Sequence, residues 1–360
     1  MRTPLGFFRW LGRDRRDPAL GGFALGASRS GNVANRRKTK DYMDMIEARH
    51  VPRQRQQVLA IDQTPFFLVG FQRSGTTMLR LMLNAHPEVA IPHDSARLWF
   101  NYREKAASST VTRMLADLLD EPRIKAWKTE LPREQIFADP LPDAFPAVMR
   151  RFHEVYARAH GKRMWGDKNT GTLTELDQLN RMFPTCRILH LVRDGRDCAL
   201  SHMSREYVYG YANVLRVAVE WRDQVTLCRK MGAMLPAERY MEVRYEALIT
   251  EPEAELRGIC RFLGVGFAAE MLDYHKTVDD NVPEDKRSLW PLLDQPPQAA
   301  NLNKWKTHMS ATDRAVFERN AGPLLRHYGY ETLPVPVTPG RWRELWLQIH
   351  DRIAWRFRKR

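Results

Sequence analysis

Phe66-Phe67-Leu68-Val69-Gly70 is a short apolar run that stops at a glycine and passes directly into the polar loop Phe71-Gln72-Arg73-Ser74-Gly75-Thr76-Thr77. Apolar throughout rather than alternating, the run reads as a strand buried on both faces. Met78, Leu79, Met82 and Leu83 then recur at helical spacing and line one face of a helix, which His86-Pro87 closes. Strand, glycine-bounded loop and helix in immediate succession begin a parallel βα unit, and the pattern recurs. Arg187-Ile188-Leu189-His190-Leu191-Val192 predicts a second buried strand leading into a polar turn and a helix, and Tyr240-Met241-Glu242-Val243-Arg244 a third. The helix after the third has Pro252 near its start, apolar Leu256, Ile259, Cys260 and Leu263, and Gly264 as its stop. Ser310-x-x-Asp313 starts a further helix carrying Val316, Phe317, Leu324 and Leu325. Strands alternating with helices predict an α/β fold, a single domain with a central parallel sheet flanked by helices. Ligands of such sheets bind beyond the carboxyl ends of the strands, where the turns after Val69 and Val192 both fall.

Charge separates this domain from its flanks. The 360-residue chain carries a net charge of +14, of which residues 1–57 hold +8 and residues 341–360 hold +5, leaving 58–340 nearly neutral. The sequence therefore divides into a basic extension at 1–57, a domain at 58–332, and at 333–360 a linker with Pro334, Pro336 and Pro339 followed by a basic amphipathic helix. In the first extension only Asp41 to Arg49 reads as helical. In the last segment Trp342, Leu345, Trp346, Ile349 and Ile353 form one apolar stripe among arginines. That stripe suits an anionic membrane surface, or packing on the chain's own domain or on a second copy. No nucleic-acid-binding motif accompanies the charge, so nucleic acid is not an expected partner. No apolar run approaches the ~18 residues of a membrane span, and arginines interrupt Leu5 to Leu11, so neither a spanning helix nor a signal peptide is expected. Cys186, Cys198, Cys228 and Cys260 form no C-x-x-C pair and no Cys/His cluster with ligand spacing. They read as buried free thiols in a reducing, cytoplasmic setting, with no metal site.

The first loop has the spacing of a phosphate cradle. Its glycines let backbone N–H groups converge, and the helix behind offers its positive end to an anion. G-x-x-x-x-G followed by Thr76-Thr77 departs from a Walker A loop in one place. Thr76 stands where the lysine that reaches the β- and γ-phosphates belongs, and the cation, Arg73, lies inside the loop. No strand ending in a magnesium-binding aspartate follows, which counts against a P-loop kinase. The second turn, Val192-Arg193-Asp194-Gly195-Arg196-Asp197, has Ser201 and Arg205 four apart on the helix behind it, so cations and a hydroxyl can meet a second phosphate. The second turn alone is a weak signal, because Arg-Asp-Gly turns are common and often only salt-bridged. Together they suit a nucleotide with phosphates at both ends of its ribose.

The segments FFLVGFQRSGTTMLRLMLNAHPEV and RILHLVRDGRDCALSHMSREY resemble the 5′-phosphosulfate loop and the 3′-phosphate site of the sulfotransferases that use 3′-phosphoadenosine 5′-phosphosulfate (PAPS). Within that superfamily the chain looks most like the tyrosylprotein sulfotransferases. Arg-Ser-Gly-Thr-Thr, Asn-Ala-His-Pro, Asp167-Lys168, Arg-Asp-Gly-Arg, Tyr245-Glu246 and Lys304-Trp305 come in the same order between about residues 65 and 330. The resemblance implies a P-loop-like (sulfotransferase) architecture. It also implies transfer of a sulfuryl group from PAPS, without a metal, to the hydroxyl of a protein tyrosine, or of a carbohydrate, lipid or small metabolite. By the same resemblance Arg73, Ser74, Gly75, Thr76 and Thr77 wrap the 5′-phosphosulfate, Arg193, Ser201 and Arg205 hold the 3′-phosphate, and Tyr245 lies beside the nucleotide. The loop from Ser288 to Asn301, with Lys304, closes over it. Lys168 matches the family's cleft lysine, so Arg73, Lys168 and Ser288 would meet the charge that builds during transfer. The family's base is a glutamate at the position of Asp94, which is one methylene shorter and follows His93. Asp94 is the expected base and His93 the next candidate. The membrane anchor usual in those enzymes has no counterpart in the sequence, so the expected location is cytoplasmic, with a homodimer and a peripheral membrane contact as open partners.

Overall fold

The computed structural model describes residues 60–62, 64–93, 110–141, 145–204, 213–332, 345–347 and 349–350. The Asp41–Arg49 helix, Asp94, Arg205, Pro334, Pro336, Pro339, Trp342 and Ile353 lie outside the described residues. Among the described residues five parallel strands form the sheet: β1 (Phe66–Gly70), β2 (Val89–Ala90), β3 (Met164–Lys168), β4 (Arg187–Val192) and β5 (Tyr240–Arg244), in the order β2-β3-β1-β4-β5. The principal helices are α1 (Thr76–Ala85), α2 (Val111–Leu119), α3 (Phe145–Ala159), α4 (Leu176–Met182), α5 (Gly195–Met203), α6 (Val214–Gly232), α7 (Tyr245–Thr250), α8 (Pro252–Leu263) and α9 (Ala311–His327).

The unbroken apolar character of β1 follows from its central place. Phe67 and Val69 join one core with Trp165, Phe183, Ile188 and Trp221, while Phe66 and Leu68 join another with Leu79, Leu189, Leu191 and Leu256. Each such side chain, fully buried, stabilises the fold by about 1.5–3 kcal/mol. Helices α2, α3, α4, α5, α6 and α9 contribute to the first core, and α1, α7 and α8 to the second. The helices that follow the adjacent strands β1 and β4 thus lie on opposite faces. This is a topological switch point, and it opens a crevice outside the carboxyl ends of those two strands.

Three of the five strands were legible as such in the sequence; β2 and β3 are additions. β2 is only two residues long, and β3, Met-Trp-Gly-Asp-Lys, turns polar at the end that faces the crevice. β5 corrects the expectation of full burial. It is the edge strand beside β4, and only Val243 within it is buried. α1 corrects the expectation of one apolar face, because every residue from Thr76 to Asn84 is buried. Residues 269–277 pack over its outer side, and its two large polar side chains are consumed by backbone and amide groups. Arg80 donates to the carbonyls of Ile91 (3.3 Å) and Asn281 (2.9 Å). Asn84 donates to Asn281 Oδ1 (2.6 Å) and accepts from the N–H of Ile91 (2.9 Å). One helix therefore braces the segment leading to His93 and the start of the segment that carries Ser288. The caps fall as the sequence predicts: Ser310 Oγ accepts from Asp313 N (3.1 Å) at the start of α9, and Gly264, at φ 76°, ends α8. All four cysteines are buried free thiols.

Candidate active site

Read across the carboxyl edge of the sheet, the site begins at Lys168, which ends β3 opposite Leu68 of β1 and is buried. Next comes the loop after β1. Arg73 there adopts φ 69° and Gly75 φ 94°, the left-handed region that costs a non-glycine residue roughly 1–2 kcal/mol. Gly70 has no room for a side chain, since a Cβ would lie 2.7 Å from the Leu191 carbonyl oxygen. Gly75 starts α1 with no side-chain cap, and the first turn holds no acidic residue. Uncapped N–H groups and the positive end of the helix dipole therefore face the crevice beside buried Ser74, Thr76 and Thr77.

Arg193 follows β4 and ties the two turns together. Its Nη1 donates to the Arg73 carbonyl (3.1 Å) and its Nη2 to the Asn301 carbonyl (2.9 Å), while its guanidinium lies 4.3 Å from the centre of the Tyr245 ring. Its own carbonyl accepts from Trp221 Nε1 (3.2 Å). Burial works against its charge, but the surrounding Tyr245, Cys198, Asp197 and Glu246 outweigh that, and its pKa is raised. Across the crevice Arg73 Nε donates to Ser201 Oγ on α5 (2.8 Å). Tyr245 packs directly over Gly75, where a Cβ would meet its ring at 2.5 Å. Arg73, Gly75, Arg193, Ser201, Tyr245 and the backbone of Asn301 are thus brought into one contiguous cluster. Ser74 Oγ lies 3.6 Å from Cys198 Sγ beneath the loop, where burial pushes that thiol up to about 12 and disfavours the thiolate.

Lys304 is exposed, just ahead of buried Trp305. Trp305 holds this segment against the second turn. Its N–H donates to Asp197 Oδ1 (2.9 Å) and its ring lies 3.5 Å from the Arg196 guanidinium. Asp197 also stands 3.8 Å from Arg193 Nη2. Burial raises its pKa, against the pull of Arg193 and the Trp305 N–H. Ser288 lies exposed in a turn over residues 284–289. His93 is buried, edge-on to Trp290 with ring centres 6.3 Å apart. Asp94 and Arg205 lie outside the described residues, so the expected base and one expected cation are not placed.

Sequence reasoning missed the Asp197–Trp305 lock and the buried pair behind Lys168. There Asp167 Oδ1 lies 3.6 Å from His153 Nε2, and His153 is set by a 2.9 Å contact of its Nδ1 with the Met149 carbonyl. Only the adjacency of Asp167 to Lys168 hinted at it; the histidine lies in a different element.

Chemically, the cluster offers backbone donors on one side of the crevice and fixed cations on the other. Residues 65–269 match the Sulfotransferase family. Protein-tyrosine sulfotransferase 2 of Gallus gallus is 25% identical over 84% of this chain and 78% of its own length. Protein-tyrosine sulfotransferase A of Caenorhabditis elegans is 25% identical over 78% of this chain and 71% of its own. In fold, the sulfotransferase domain of the Synechococcus PCC 7002 olefin synthase superposes with a TM-score of 0.54 over 79% of this chain and 100% of that domain, at 22% identity. The sulfotransferase domain from the curacin biosynthetic pathway gives 0.52, over 76% of this chain and 100% of that domain, at 21% identity. The family match takes in more than half of the chain and, within it, both strand–helix turns, Lys168 and Tyr245: the chain belongs to the PAPS-dependent sulfotransferases.

Proposed function

We propose that this enzyme transfers the sulfuryl group of PAPS to the phenolic hydroxyl of a protein tyrosine. The observation that carries the donor is the cross-brace at the switch point, where Arg193 of the second turn binds the carbonyl of Arg73 in the first. Two anion-holding turns fixed at one separation suit a nucleotide with phosphates on both sides of its ribose. The uncapped start of α1 and the retained charge of Arg193 fit those two groups. The tyrosine acceptor is supported by relatives named as protein-tyrosine sulfotransferases that align along most of both chains.

PAPS would supply a sulfuryl group bound to a phosphate oxygen, whose S–O bond breaks as one to the acceptor oxygen forms. The chain's residues do the rest. The first-turn N–H groups with Ser74, Thr76 and Thr77 hold the 5′ end, and Arg193 and Ser201, with Arg205, hold the 3′ end. Tyr245 and the segment from Ser288 to Lys304 cover the nucleotide. Arg73 and Lys168 neutralise the charge that gathers on the leaving oxygen, and Ser288 adds a hydrogen bond. Asp94 takes the acceptor proton, with His93 as its alternate.

Binding and acceptor are tested separately. PAP, the desulfated nucleotide, at a hundredfold excess over its Kd should stabilise the protein by about 2.7 kcal/mol in the presence of EDTA. Stabilisation by ATP with magnesium and none by PAP overturns the donor assignment. Radiolabelled PAPS should then label a tyrosine peptide and not its phenylalanine counterpart, and Asp94→Asn should abolish that labelling with PAP affinity retained. Labelling of an oligosaccharide or lipid panel instead overturns the acceptor alone.

A further inference from the structure

The apolar stripe read from residues 342–353 had three candidate partners, and its described residues face away from one of them, the chain's own domain. Leu345, Trp346 and Ile349, all on the stripe, are 44%, 58% and 45% exposed. The residue that docks is Leu347, which is off the stripe, 5% exposed and part of the main core. Asn213 fastens it there. Its Nδ2 donates to the Leu347 carbonyl (3.0 Å), while its Oδ1 caps α6 by accepting from Arg216 N (3.0 Å). At about 100° per helical residue, Leu345, Trp346 and Ile349 occupy one ~100° arc, and Leu347 sits roughly 150° from its centre. The described part of the segment is anchored through Leu347 and presents Leu345, Trp346 and Ile349 outward, where Trp346 stacks on His350 at 5.2 Å.

From this geometry we propose that the outward face docks on an anionic lipid surface. Residues 341–360 carry a net charge of +5 around a stripe with tryptophans in it. An exposed aromatic and aliphatic face in a segment rich in cations is the composition of an interfacial helix, whose apolar side enters the headgroup boundary while its cations meet lipid charge. A second copy of the chain fits less well. Three side chains fall far short of the ~800 Å² per partner of a stable interface, and two segments of the same charge repel. No helix among the described residues is long and apolar enough to cross a membrane, and the contact proposed is a peripheral one. The proposal is independent of the acceptor assigned above.

The test uses the full chain with vesicles of phosphatidylcholine alone or with ~30% phosphatidylserine. The wild type should sediment with the anionic vesicles only, more weakly as salt rises. Each cation near the surface adds roughly fivefold in partition. Trp346→Glu, at an exposed site, should lose at least tenfold in partition with unchanged Tm and PAP affinity. Leu347→Ala should lower Tm instead, because it removes the anchor rather than the face. Equal partition of wild type and Trp346→Glu overturns the proposal. So does the absence of any vesicle binding, a dimer in light scattering that Trp346→Glu dissociates, or single-stranded DNA binding lost with the same substitution.

Discussion

Helices α1 and α5 begin at the carboxyl ends of neighbouring strands, beside the same crevice, and their first turns are built in opposite ways. α1 has no side-chain cap and no acidic residue in its first turn. α5 is capped by Asp194, whose Oδ1 accepts from Arg196 N (2.9 Å), and it carries Asp197 in its first turn. Arg196, fully buried, is itself spent on Asp194 (2.7 Å) and Glu318 (2.6 Å). An anion at the first turn would meet backbone N–H groups, whereas at the second the helix terminus is already capped and, among the described residues, Arg193 and Ser201 are the groups that would meet it. Similar βα units thus yield one cradle made of shape and one made of charge. Arg73 belongs to the first by position and reaches the second by its hydrogen bond to Ser201.

The largest effect is expected where the shape-built turn meets the reacting group. Arg73→Ala and Lys168→Ala should each lower single-turnover rates ~10²–10³-fold, with PAP affinity within a few-fold of wild type. Lys168→Met, which keeps the buried volume of the stem, guards against a folding defect. If either substitution weakens PAP as much as it slows turnover, the division between a reacting end and an anchoring end fails.

That division was partly visible without coordinates. β1, β4 and β5 announced themselves because their apolar runs are local, and the two polar turns because glycine and arginine fall at strand ends. β3 did not. Its carboxyl half is polar, and what keeps it in the sheet is the ladder to β1, from Phe66–Gly166 to Leu68–Lys168, across a hundred residues of chain. Trp305 gave no sign that its N–H would lock Asp197, nor did Arg80 that it would be sealed by Ile91 and Asn281. Such pairings depend on which distant segments meet, and no periodicity encodes them. The resemblance to known enzymes named Asn301 and Lys304, yet Asn301 acts on Arg193 through its carbonyl, a group every residue has.

Substitutions of intermediate effect sharpen the contrast. In the shape-built turn, Gly75→Ala puts a Cβ 2.5 Å from Tyr245 in a residue at φ +94°. PAP affinity should fall, and Gly75→Ala with Tyr245→Ala should recover only part of it, because the backbone strain survives removal of the ring. In the charge-built turn, Arg193→Ala should weaken PAP by roughly 10- to 100-fold, the value of a hydrogen bond to a charged group. Arg193→Lys should not restore it, since an ammonium cannot span the Arg73 and Asn301 carbonyls together. Full rescue by lysine would mean that charge alone matters there and that the brace is incidental.

The smallest effect tests the supports beneath the two turns. β1 is apolar throughout, whereas β4 and β5 place His190 beside Glu242 in register. Tyr240 donates to Glu242 (2.8 Å), leaving its oxygen to accept from His190 Nδ1 (2.8 Å), and the Tyr328 hydroxyl donates to both Glu242 oxygens (3.2 Å each). Burial pushes the Glu242 carboxyl up, but the bonds from His190, Tyr240 and Tyr328 outweigh it and hold its pKa below the ordinary 4.5. The native state therefore binds this proton less readily than the unfolded chain does. The stabilisation is complete above pH ~4.5 and is lost as pH falls through the lowered native value. Glutamine in its place still accepts neutral hydrogen bonds, so Glu242→Gln should cost only about 1 kcal/mol at pH 7, the difference between charged and neutral acceptors. In urea titrations the gap between wild type and variant should close below pH ~4.5, with the wild type falling the more steeply. A gap that stays constant from pH 7 to pH 3 would mean that Glu242 supports β4 and β5 by packing, and that the charge-built turn rests on a frame as indifferent to acid as the one beneath α1.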